Sequence, residues 1–193
     1  NGRTNIALYE AQKMLKEAQE EDDKTGLSRC YNIMSQIYTV KRLDSMAFEW
    51  QLKEIELTEK YDLENYNISQ TYSQISSYYI NTNQPEKALE ALKKADATAY
   101  SPTQKISVQL EYVNYYSKFG DMQAAEKILN ECKTAFDQDK RLWSIKKRLY
   151  NIEYVYYLQS KQYPKALEAA KKQEAEELNL SESIQNSVHY LTK

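Results

Sequence analysis

Apolar and small residues recur along this chain at helical rather than strand spacing. Between residues 72 and 95 they fall at Tyr72, Ile75, Ser76, Tyr79, Ala88, Leu92 and Ala95, and the pattern breaks once, from Asn83 to Pro85. This predicts a helix, a tight turn and a second helix opened by Pro85, because the first helical turn does not need the N–H that proline lacks. The same order returns as Tyr116, Gly120, Ala125, Leu129 and Cys132, as Tyr150, Tyr157, Tyr163, Ala166 and Ala170, and more loosely as Tyr31, Met34, Ser35, Tyr38 and Ala47. The small residue near the start of each second helix steps from Ala47 to Ala88, Ala125 and Ala166, at separations of 41, 37 and 41 residues. The chain therefore reads as helix pairs over 24–60, 64–99, 102–138 and 141–178. An unpaired helix at 3–20, through Ala11, Leu15 and Ala18, precedes them, and a partial helix at 181–193, through Ile184, Val188 and Leu191, follows. Unpaired ends suggest a fragment of a longer protein, since a solenoid usually finishes in a polar capping repeat.

Boundary residues agree with this division. Ser101, Pro102 and Gln104 form a capping box with proline at the first helical position, and Gly120 with Asp121 ends one helix and starts the next. Composition narrows the class further. Three Gly and three Pro are too few turn-formers for a β fold, while Ala, Leu, Lys, Glu and Gln dominate whole segments. Tyrosine is abundant, 18 against three Phe, which suits thin layers in which a ring is buried while its hydroxyl stays wet.

These residues resemble the tetratricopeptide repeat, best over Pro85 to Ala95 (PEKALEALKKA). The resemblance implies an all-α, TPR-like α-α superhelix, a right-handed solenoid of antiparallel helix pairs, with Ala88, Ala125 and Ala166 at the closest helix approach. The periods exceed the roughly 34 residues of the standard unit. Glu153 and Gln173 occupy slots that are usually apolar or small, and the first copy carries about one extra residue around Met46.

Candidate chemistry is sparse. With 26 Lys and Arg against 28 Asp and Glu, the formal charge of −2 gives no broad pull toward nucleic acid or anionic lipid. Lys140, Arg141, Lys146, Lys147 and Arg148 form the one basic group, and on a helix they spread over several faces and read as solvated. His189 is the single histidine and reads as a surface or interface residue, with no second group to orient it. Cys30 and Cys132 read as small buried hydrophobes in different repeats. The three glycines are isolated, so no phosphate loop exists. The acidic runs at Glu20–Asp23 and Glu174–Glu177 read as solvated faces, and the sequons at Asn67 and Asn179 as idle. No apolar run approaches the roughly 20 residues that span a bilayer. No catalytic residue, cofactor or metal ligand is expected, and this region is read as no enzyme.

What remains is a surface for a protein or peptide. In such solenoids the first helix of each pair lines the concave face, which takes extended or helical segments. The alignment places Arg29, Asn32, Gln36 and Thr39 there, then Gln70, Ser73, Ser77 and Asn81, then Ser107, Asn114 and Lys118, then Arg148, Asn151 and Gln159. They are mostly amides and hydroxyls, able to donate to and accept from a bound backbone. Of the carboxylate-gripping tetratricopeptide subgroup only Asn114 matches, with Gln36, Ser77 and Ser107 where its other members would stand. Phrases such as EIELTEKYDLEN and QYPKALEAAKK resemble the repeat-bearing sensor regions of Bacteroidetes signalling proteins. That resemblance implies a periplasmic sensor region attached to a membrane helix and a kinase or DNA-binding output, binding a ligand, a partner or its own second copy as a homodimer. A free-standing adaptor bridging protein partners, or a cytoplasmic peptide-responsive transcription regulator, remain alternatives. Nucleic acid and membrane are not expected to contact this region.

Overall fold

The first helix of each pair ends in a tight turn that the next helix leaves at once. In the computed structural model, which describes residues 2–191 with side chains through Asn179, the main chain turns left-handed at Arg42, Asn83 and Lys161, with φ of 57°, 59° and 60°. The following N–H closes a wide loop in each case: Leu43 to the Tyr38 carbonyl at 2.9 Å, Gln84 to Tyr79 at 2.8 Å, and Gln162 to Tyr157 at 2.8 Å. These are Schellman turns, which satisfy the last helical carbonyls. Gly120, at φ 96°, does the same work with one bond from its N–H to Tyr116. The left-handed positions repeat at the separations of the small residues, each five residues ahead of Ala47, Ala88, Ala125 or Ala166. The sequence period is thus a period of turns.

The chain divides into two units, residues 1–98 and 99–193. In the first, α1 (Gly2–Glu20) packs on α2 (Lys24–Val40), α2 pairs with α3 (Asp44–Tyr61), and α4 (Ile68–Asn81) pairs with α5 (Pro85–Thr98), α3 packing on α4. Ala11 and Ala18 of α1 are buried against Met34, Ile37, Leu27 and Cys30 of α2, so the helix expected to stand alone is seated on the first pair. In the second unit α6 (Pro102–Phe119) pairs with α7 (Met122–Gln138) and α8 (Lys146–Gln159) with α9 (Tyr163–Leu191). Its core joins Leu110, Val113, Leu129, Phe136, Leu149 and Ile152. Ala47, Ala88, Ala125 and Ala166 are all buried, as close helix approach requires. The capping box forms as expected: Ser101 accepts from the Gln104 N–H, and the Gln104 side chain accepts from the Ser101 N–H.

Element bounds differ from the sequence reading in three places. After a left-handed Asp62, residues 63–67 form a loop, and α4 begins at Ile68 rather than 64. Residues Lys140–Ile145 form a 3-10 helix ahead of α8, capped by Asp139, whose carboxylate accepts from the Arg141 N–H at 2.9 Å. The partial helix placed at 181–193 does not start anew. Instead α9 continues without a break to Leu191, because Asn179 and Ser181 interrupt a helix only weakly and no Gly or Pro follows Pro164. His189 and the other side chains of that stretch lie outside the described residues. Among the described residues no helix is long and apolar enough to cross a membrane.

Candidate functional site

In the first unit, the polar residues of α2 and α4 expected to line a concave face differ in exposure. Arg29, Gln36, Thr39, Gln70 and Asn81 are exposed, and Asn32 and Ser77 half-buried. Ser73 is buried and cannot face a ligand; its hydroxyl donates to the Ser69 carbonyl at 3.1 Å. Ser69 and Ser76 on the same face donate to the Ala95 and Ala88 carbonyls of α5 at 2.8 and 3.0 Å. These serines are short polar spacers that let α4 and α5 approach, and a one-helix alignment cannot separate them from groove residues. Beside them a groove of about 280 Å³ is lined by Thr39, Gln51, Gln74, Ser77 and Asn81, and the Gln51 amide donates to Gln74 at 3.1 Å.

A larger cleft, of about 470 Å³, opens among α2, α3 and residues 63–67. Its wall holds Glu54, a carboxylate only 1% exposed. Oε1 accepts from Asn65 Nδ2 at 2.8 Å and from Asn32 Nδ2 at 3.3 Å, and Oε2 accepts from Asn32 at 3.1 Å and Thr71 Oγ1 at 3.1 Å. Asn32, expected to face a ligand, is therefore engaged with a carboxylate, and Gln36 in turn donates to its side-chain oxygen at 2.6 Å. Burial pushes the Glu54 carboxyl above the usual carboxylate range, and the Asn65, Asn32 and Thr71 donors draw it partly back.

The second unit treats its expected site residues differently. Lys118, Asn151 and Gln159 are exposed and Ser107 is half-buried. Asn114 and Arg148 are turned to a common acceptor, the buried Glu111: Asn114 Nδ2 donates at 2.9 Å and Arg148 Nη2 at 2.9 Å. Asn114 lies on α6 and Arg148 on α8, and the polar ends of both are committed within the fold. The odd slot at Glu153 is likewise filled by pairing, since this buried carboxylate accepts from Lys133 at 2.9 Å. The basic group is dispersed by similar pairing. Arg141 bonds Asp139 at 2.7 Å, Lys147 lies 2.6 Å from Glu177, Lys146 lies 3.7 Å from Glu176, and Arg148 holds Glu111. Cys30 and Cys132 are buried free thiols, and desolvation pushes the Cys132 thiol up to about 12. Among the described residues no group of three or more His, Cys, Asp or Glu is placed to hold a metal ion.

The sequence reading missed Glu54, Asn65, Thr71 and Glu111. A signal existed for Glu54, because Gln51, Glu54 and Thr58 fall on one face of α3 together with the apolar Ala47 and Ile55.

Residues 39–176 match the protein family described as 26S proteasome subunit RPN7. No curated protein sequence matches the chain. Among solved structures, the crystal structure of BtubC (BKLC) from P. vanneervenii is similar over 93% of this chain and 75% of its own, with a TM-score of 0.68 and 14% sequence identity. That likeness shows the fold alone, an all-α, solenoid-like arrangement of helices.

Proposed function

We propose that this chain, which belongs to the family of 26S proteasome subunit RPN7, is a non-catalytic scaffold that holds an extended segment of a protein partner within an assembly. A proteasome subunit is by definition held among other proteins, which is the context the family lends. What supports the site is the groove of the first unit, where Thr39, Gln74, Ser77 and Asn81 supply hydroxyls and amides from α2 and α4. Such groups can donate to and accept from a main chain without requiring a particular partner charge. A signalling-sensor role would use the same surface, and the two differ in what is joined to the chain rather than in these residues.

The test is recovery of protein partners from a source extract on the immobilised chain and on the variant Thr39→Ala/Asn81→Arg, which changes two groove-lining residues. Both residues are exposed, so helix content and melting temperature should be unchanged. At least a fivefold fall in recovery is expected; equal recovery would remove the groove as the binding site.

A further inference from the structure

Glu54 differs from the other buried glutamates in its company. Glu111 has Arg148 and Glu153 has Lys133, each at 2.9 Å, so these carboxylates withdrawn from water are matched by positive charge. Glu54 is as deeply buried, yet the groups that hold it, Asn32, Asn65 and Thr71, are neutral donors. Neutral donors favour the ionised form and orient it, but leave its charge uncompensated. Glu54 also lines the cleft of about 470 Å³, in contrast to a core position closed on all sides. A concave site with low-dielectric walls concentrates the field of such a charge toward its opening. Glu64, exposed in the same lining, adds to it, and Arg29 opposes it.

We propose that this cleft receives a basic side chain, lysine or arginine, from a protein partner, and that its cation compensates Glu54. Asn32 is the group that yields to it. Its amide spans both carboxylate oxygens at 3.1 and 3.3 Å, longer than the single Asn65 bond at 2.8 Å, and an ammonium or guanidinium replaces a stretched neutral bond by a charge-assisted one. Tyr66, also lining the cleft, offers a ring beside the aliphatic stem of such a side chain. The inference rests on the scaffold reading for the origin of the basic residue, whereas the recognition chemistry is a property of the cleft.

The full chain, isotopically labelled on nitrogen, is titrated with the amides of Nα-acetyl-lysine and Nα-acetyl-arginine, with Nα-acetyl-glutamine amide as the neutral comparison, following the side-chain amides of Asn32 and Asn65. Saturable shifts are expected with the two basic amides and not with the neutral one. Glu54→Gln should weaken binding at least tenfold, and Arg29→Ala, which removes the opposing charge, should tighten it about threefold. Equal shifts with the glutamine amide, unchanged binding in Glu54→Gln, or weaker binding in Arg29→Ala would each overturn the proposal. The Arg29→Ala arm decides the matter should Glu54→Gln not fold. Because Thr39 and Asn81 line the groove and not this cleft, Thr39→Ala/Asn81→Arg should leave the titration untouched, which separates failure here from failure of the groove.

Discussion

Arg148 Nη2 lies 2.9 Å from Glu111 Oε2 and so ties α8 to α6 inside the second unit. Glu111 is 3% exposed and Arg148 is partly open to water, so the pair is held from the wet side by a cation that aligns as a groove residue. Removing it leaves a buried carboxylate without its cation, although the Asn114 amide still donates to it. Arg148→Ala should therefore cost about 2 kcal/mol, less than a fully buried pair because Arg148 is already partly solvated. Urea unfolding measures this, and Glu111→Gln in the same chain should restore part of the loss.

The turns carry a second, independent prediction. Arg42 and Lys161 hold a left-handed conformation that a side chain disfavours by about 1 kcal/mol. Arg42→Gly and Lys161→Gly should each raise stability by about that amount. Gly120→Ala should lower it, although a methyl group there would meet no atom within 4 Å. Thermal unfolding of the three variants distinguishes backbone strain from packing.

Cys132 should be inert. Burial, with a smaller contribution from Glu131, raises its thiol from 9.0 to about 12. Native chain at pH 8 should resist iodoacetamide at this position and react there once unfolded in urea. The unfolded thiol loses its proton at lower pH than the folded one, so the folded state is favoured below about 9 and this contribution declines as pH rises toward 12.

Two glutamates five residues apart on α3 should titrate in opposite directions. Glu59 is lowered, first by the Tyr72 hydroxyl and then by Lys94, so its contribution to stability is present above the unfolded value and lost as pH falls through the folded one. Glu54 is raised by burial, so its contribution is present below the unfolded value and lost as pH rises through the folded one. Carboxyl carbon shifts followed by NMR should place the Glu54 midpoint above the ordinary 4.5 and the Glu59 midpoint below it. The reverse order would mean that the Asn32, Asn65 and Thr71 donors outweigh burial.

Much of the helix pairing was legible in the chain. Ala47, Ala88, Ala125 and Ala166 marked the tight approaches, Ser101 and Gln104 the start of α6, and Gly120 its end, because each is a demand of local backbone geometry on a residue within a few positions. Pro85 and Pro164 belong to the same class of signal. Helical spacing likewise groups polar residues of α2 and α4 along the helix, regardless of what lies opposite them.

The tertiary structure decided which polar residues on those faces are committed within the fold. Ser73 and Asn81 are both polar residues of α4 that align to the same row, yet one donates to the main chain inside the unit and the other is exposed. Asn114 and Arg148 are turned to Glu111, and Asn32 to Glu54, through partners 3 to 37 residues away. The local sequence fixes a helix because its hydrogen bonds close within four residues. The fate of a polar side chain depends on burial and on donors brought from other helices, and these exist only once the pairs have packed.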